Sequence, residues 1–192
     1  MGKFKLLLVF FLCYGVAHTQ EKVEREHRIR KVQFPALDQE VTLVVPNIKK
    51  VRYYKEIDSS GNTYILRFKK ERLHYHIDYD KNGNLQNSGF KIKRIDIPEE
   101  YYDGMERYMV ENFGQFKIRT IWQEYPIIQN SPMQDPLKNT FQNLILPNIN
   151  YKFLIRSLSQ DKTGHIEVWF DSEGKYLKMR AVLPTNFDHV LY

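Results

Sequence analysis

His74 and His76 invite a chemical reading, because one residue separates them and Asp78 follows at the same interval. On a strand, side chains so spaced share a face and stand about 7 Å apart, so a metal between the two imidazoles would need a ligand from a neighbouring strand. A solvated sheet face explains the same alternation, since Leu73, Tyr75, Ile77 and Tyr79 supply an apolar opposite side. No metal site is expected there. A second pattern starts at Asp78: Asp78-x-Asp80-x-Asn82-Gly83-Asn84 reproduces the first half of a calcium loop, with oxygens at alternate positions and glycine at the turn. The twelfth position of such a loop needs a bidentate glutamate, and Gly89 stands there. Asn-Gly between alternating segments also marks a plain β-hairpin turn. The turn is the preferred reading, and Asp78, Asp80, Asn82 and Asn84 are a weak calcium candidate beside it.

Catalytic signals are missing. The chain has no Gly-x-Ser-x-Gly, no glycine-rich phosphate loop and a single cysteine, Cys13. The carboxylate pair Glu99-Glu100 follows Pro98, where it suits the positive end of a helix dipole. No catalytic residue, cofactor or enzymatic activity is expected.

Periodicity shows which elements must position the polar residues. Strands are expected at about 48–57, 62–70, 72–80, 85–97, 116–125, 150–158, 164–171 and 175–183. Helices are expected from Pro35 to Val45 and from Pro98 to Phe113, the second carrying the stripe Tyr101, Met105, Tyr108, Met109 and Phe113 and ending at Gly114. Residues 22–34 are charged and carry no element, and a loop rich in proline and apolar residues fills 126–148. Alternation turns Ile166, Val168 and Phe170 inward and His165, Glu167 and Trp169 outward. It likewise turns Leu177, Met179 and Ala181 inward and Tyr176, Lys178 and Arg180 outward. Arg52, Tyr54, Arg67 and Lys69 join His74 and His76 on that outer face, with Trp122 beside them. An exposed sheet face with tryptophan, tyrosine, histidine and arginine has the composition of an interface centre. Tyr54, His74, His76, Trp122, Trp169, Tyr176 and Arg180 are the expected partner contacts.

The chain opens with Lys3 and Lys5, an apolar run from Leu6 to Val16 and the small residues Ala17-His18-Thr19, the pattern of a secretory signal over 1–19. Residues 20–192 are then one domain. Loss of the leader removes Cys13 and lowers the net charge from +6 to +4. The expected product is exported, periplasmic or secreted, and soluble. Lysines and arginines are spread thinly among carboxylates, so no nucleic-acid partner is expected.

Two internal echoes suggest a duplication. Pro35, a helix and Lys50–Glu56 are echoed by Pro98, a helix and Lys117–Glu124. His76–Gly83 is echoed by Glu167–Gly174, each ending in Asp-x-x-Gly. The pseudo-repeats are about 22–97 and 98–192, each α-β4. The expected fold is therefore α+β: a tandem repeat giving one antiparallel sheet of about eight strands, with two helices packed on one face.

Glu26-His27-Arg28-Ile29, Phe34-Pro35-Ala36, Tyr54-Lys55-Glu56, Tyr64–Lys69, Tyr79–Leu85 and the helix opening Ile97-Pro98 together resemble the beta-lactamase-inhibitor-like, PepSY-like secreted proteins. Tyr151–Arg156 departs from the pattern by lacking the Phe-Lys strand ending. The resemblance implies the same antiparallel sheet, a protein bound on its open face and no catalytic residues. The preferred function is a non-catalytic binding or inhibitor-like module for a protein or peptide partner. Alternatives are a periplasmic small-ligand or lipid carrier and a calcium-stabilised surface protein.

Overall fold

The computed structural model describes residues 25–35, 41, 45–57, 61–127, 136–158 and 164–182. The leader 1–19, with Cys13, lies outside the described residues, as do residues 128–135 of the 126–148 loop and most of the helix expected from Pro35 to Val45.

Among the described residues nine strands pair in chain order as one antiparallel meander. They are β1 (Arg25–Ile29), β2 (Lys49–Ile57), β3 (Asn62–Lys70), β4 (Leu73–Tyr79), β5 (Leu85–Ile92), β6 (Phe116–Pro126), β7 (Asn150–Ser157), β8 (Gly164–Asp171) and β9 (Tyr176–Val182). Helix α1 (Glu99–Phe113) joins β5 to β6, and the short α2 (Pro136–Gln142) lies between β6 and β7. Eight strands fall where they are expected, although β5 stops at Ile92, short of the expected 97, and a 3-10 turn follows at Arg94–Asp96. The ninth, β1, lies in the charged stretch given no element. Its sequence Arg-Glu-His-Arg-Ile has no apolar alternation, and its pairing with β2 holds it in place.

One face of the sheet is largely apolar. Leu66, Ile77, Tyr151, Phe153, Ile155, Val168 and Phe170 are buried on it, and α1 adds Tyr102, Met105, Met109 and Phe113. Each large side chain buried this way stabilises by roughly 1.5–3 kcal/mol, which holds the helix to the sheet. Phe141 of α2 packs on Tyr75 with ring centroids 5.3 Å apart, and Thr140 hydrogen-bonds Ser88 at 2.7 Å. Val41 and Val45 are buried in the same core.

The other face is concave. Strands β2 and β9 stand seven places apart, which in a flat sheet is about 34 Å. Yet Arg180 on β9 is ion-paired with Glu56 on β2. The sheet is therefore curled into a half-barrel with its polar face inside.

Two hairpin turns share one construction. Asp80 Oδ1 accepts the backbone N–H groups of Asn82 and Asn84, and Asp171 Oδ1 accepts those of Glu173 and Lys175. Gly83 and Gly174 close the turns at φ 82° and 83°, a conformation that costs glycine little. Beyond each turn the register slips by one residue, between Asp78 and Tyr79 on β4 and between Trp169 and Phe170 on β8. The second slip sets Tyr176 opposite Phe170, so Tyr176 is on the helix side, stacked on Tyr108 at 4.5 Å. The expectation that Tyr176 shares a face with Arg180 fails because a β-bulge breaks strict alternation.

Candidate functional site

The trough inside the half-barrel has a volume of about 320 Å³. Five carboxylates line it, from Glu26, Glu56, Asp78, Glu124 and Glu167, against the cations of Arg67, Lys152, Lys178 and Arg180, with His76 among them. Charges this enclosed persist only when paired. Arg67 on β3 forks onto Glu26 of β1, with Nη1 and Nη2 donating at 2.7 and 2.6 Å. Arg180 bridges two acids, Glu56 and Glu167, the latter receiving Nε at 2.7 Å and Nη2 at 2.6 Å. Lys152 Nζ lies 2.5 Å from Glu124 Oε1, and Trp169 Nε1 donates to Glu124 Oε2 at 3.0 Å.

Aromatic rings seat the cations. Lys178, Arg180 and Lys152 stand 4.8, 5.2 and 5.6 Å from the Trp169 ring centre, and Arg67 lies 4.8 Å from that of Tyr54. Such contacts add roughly 0.5–2 kcal/mol each, according to exposure.

Glu124 is the hub, and a glycine gives access to it. His76 on β4 faces Gly89 on β5, which faces Glu124 on β6. A Cβ on Gly89 would lie 2.8 Å from the His76 ring and 2.5 Å from the Gln123 carbonyl oxygen. Without one, the imidazole leans over β5, bringing Nε2 to 3.4 Å from Glu124 Oε1 and 3.7 Å from Asp78 Oδ2. Trp122 closes the other side of the ring edge-on, with centroids 4.7 Å apart.

These contacts set the ionisation. Burial alone would push the Glu124 carboxyl up, but Lys152 and His76 outweigh it and hold the group well below the usual carboxylate range. Burial works against the Lys152 charge, and Glu124 more than compensates, raising its pKa. Glu26 goes the other way: burial pushes its carboxyl up despite Arg67, and the like charges of Glu56 and Glu167 add to the rise.

Of the seven expected partner contacts, Tyr54, His76, Trp122, Trp169 and Arg180 are on the concave face. His74 is exposed at its rim and Tyr176 is on the opposite side. The face is not the open one expected. His76 and Trp169 retain only 2% and 6% of their exposure, so Trp169 is part of the wall. Sequence reasoning missed Glu26, Glu56, Glu124 and Lys152 as trough residues. A signal existed for one of them: Lys152 alternates with the apolar Tyr151, Phe153 and Ile155 and so belongs to the opposite face of β7. The calcium candidates separate. Asp78 faces the trough and receives Asn87 Nδ2 at 3.3 Å, while both oxygens of Asp80 bond within its own turn. No cluster of three acidic, histidine or cysteine ligands placed to hold a metal occurs among the described residues. Nor is any described helix long and apolar enough to cross a membrane.

No protein-family model matches the sequence, and no curated protein matches it. Solved structures do. A candidate periplasmic protein of Bacteroides eggerthii is similar at TM-score 0.51 and 8% identity, over 80% of this chain and 93% of that one. A DUF2874 family protein of Bacteroides ovatus is similar at TM-score 0.49 and 11% identity, over 80% and 92%. A BLIP-like protein of Bacteroides fragilis is similar at TM-score 0.45 and 10% identity, over 79% and 87%. At 8% identity the likeness to the Bacteroides eggerthii protein is one of fold.

Proposed function

We propose that the protein is an exported, non-catalytic binding module that holds a protein or peptide partner in the concave trough. The observation carrying this reading is that the trough is preorganised. Trp122, Tyr54, His76 and Arg67 are fixed by cross-strand pairs before any partner arrives, so little side-chain entropy remains to be lost on binding. Arginine, tryptophan and tyrosine together are also the residue types that dominate binding energy at interfaces. Arg67 Nε, Asp78 Oδ1 and Asn87 Oδ1 are buried with no hydrogen-bond partner, and a bound segment or ordered water would complete them. A non-catalytic role is supported by the state of the acids. Glu124, held far below the usual range by its cations, is a poor general base near neutral pH. Walls so rich in charge also disfavour the lipid-carrier alternative.

The test is capture from a cell-envelope extract by the wild-type protein, by Trp122→Ala and Tyr54→Ala in the trough, and by Val110→Gln on the exposed side of α1. The trough variants should lose the captured partner and the helix variant should keep it. Unchanged capture by both trough variants would remove the trough from the reading.

A further inference from the structure

The trough is electrically lopsided along its length. Its paired carboxylates crowd the middle and the end nearest the Asp80 and Asp171 turns. At the other end, where β3 passes into β4 and β5 and β7 finish, the same face carries two basic triplets. Lys69 on β3 is opposite His74 on β4, and Lys91 follows on β5 beside Trp122 of β6. Lys117, Arg156 and His165 stand side by side across β6, β7 and β8. Their face is set by register: Lys69 lies two residues from Arg67, Lys91 two from Gly89, and Arg156 four from Lys152. Among the described residues none of the six is in an ion pair. The histidines register the resulting field. Burial and then Lys69, Lys91 and Lys50 lower the pKa of His74, while burial and then Arg156 and Arg119 lower that of His165.

We infer that these two triplets dock an acidic peptide segment of the partner, which enters the trough from this end and passes Trp122. The inference rests on the binding-module reading and supplies its partner chemistry. Strands about 4.8 Å apart set Lys117 and Arg156 side by side and Lys69 and Lys91 two strands apart across His74, spacings that suit carboxylates presented on an extended chain. The interior decides against other polyanions. A nucleic acid or polysulfate running on past Trp122 would meet Asp78, Glu124 and Glu167, whereas a peptide changes charge along its length. A flat anionic membrane cannot follow a concave face whose far strands are joined through Arg180 and Glu56.

The experiment uses the full chain and fluorescence anisotropy with a labelled peptide that has a glutamate block at one end and a lysine block at the other. Oligothymidylate and phosphatidylglycerol vesicles serve as competing probes. The peptide should bind, its affinity should fall as salt shortens the Debye length, and Lys91→Glu with Arg156→Glu should weaken it by roughly tenfold or more. Both residues are exposed, and an unchanged melting midpoint confirms that the variant folds. Absence of peptide binding, wild-type affinity in the variant, or tighter binding of oligothymidylate or vesicles than of peptide would each overturn the inference. If partner capture needs Trp122 but not the triplets, the docking surface falls and the binding module stands. If it needs neither, both fall.

Discussion

The two faces of this sheet bury large side chains by opposite means, the convex face many and the concave face few. On the convex side Phe153, Phe170 and Ile155 are sealed under α1 by apolar contact that needs no particular partner. On the concave side Glu124, Trp169 and His76 are almost as deeply buried, but each is there because a named neighbour matches it. Apolar burial is non-directional, so the convex face tolerates exchange of one hydrophobe for another. Charge burial is conditional, so the concave face fails when one member of a pair is removed and recovers when both are.

The largest expected effect is on single deletions in both faces, and only their rescue separates them. Phe153→Ala should cost about 3–5 kcal/mol in urea unfolding through the cavity it leaves. Glu124→Gln should cost a similar amount, about 3–5 kcal/mol, because Lys152 stays buried without its counter-ion. Adding Lys152→Met to Glu124→Gln should restore most of that loss. A double variant no more stable than Glu124→Gln alone would show that the concave face is held by packing, like the convex one.

Next in size is the crossing point at Gly89. Gly89→Ala introduces a Cβ against the Gln123 carbonyl and the His76 ring, which must move. A loss of about 1–3 kcal/mol is expected, with a change in intrinsic fluorescence as the His76 ring leaves Trp122. Wild-type stability and fluorescence together would mean that His76 does not depend on the missing side chain.

Acid separates the faces without mutation. The Glu124 carboxyl is depressed below its ordinary value of 4.5, so its contribution is complete above about that pH and is lost as the pH falls through its lower folded value. Lys152, raised above 10.5, contributes fully below that pH and loses its share only as the pH rises through its higher folded value. Glu26 has the opposite sign, because its raised pKa lets protonation relieve a buried charge. Urea midpoints taken from about pH 5 downwards should therefore fall, and fall less in Glu124→Gln/Lys152→Met. Parallel acid curves for the two proteins would refute the assignment of the acid limb to Glu124.

How much of this was legible follows the same divide. The convex face was readable because apolar alternation is local: Tyr75, Ile77 and Tyr79, or Tyr151, Phe153 and Ile155, announce both the strand and its buried side. The concave face was readable only in part. Its members Tyr54, His76, Trp169 and Arg180 came from the same alternation, with Trp122 set beside them on a strand that alternates poorly, but the curl that buries them depends on contacts between β2 and β9, over 120 residues apart in the chain. A charged residue looks solvent-exposed until its partner is known. Strand β1 was missed for that reason: Glu26 has no apolar neighbours to signal it, and Arg67 holds it from another strand. Tyr176 was misplaced because a single extra residue, Leu177, reverses every side chain beyond it.

The smallest effect expected is none, and it concerns the turn at Asp80. Its spacing matches a calcium loop, but a calcium site needs six or more oxygens free to converge. Asp80 has spent Oδ1 on two backbone N–H groups and Oδ2 on Asn84, and these bonds lower its pKa. Asp78, two residues earlier on the strand, is directed to the trough and Asn87 instead. The Asp171 turn repeats the backbone bonding with Trp169 where Asp78 stands in the first turn, so the construction works without a second acid. Millimolar calcium should leave the melting midpoint unchanged, in the wild type and in Asp78→Asn alike. A calcium-dependent rise that Asp78→Asn abolished would place the ion between turn and trough, and would make the concave face a metal-organised surface instead of one organised by its own ion pairs.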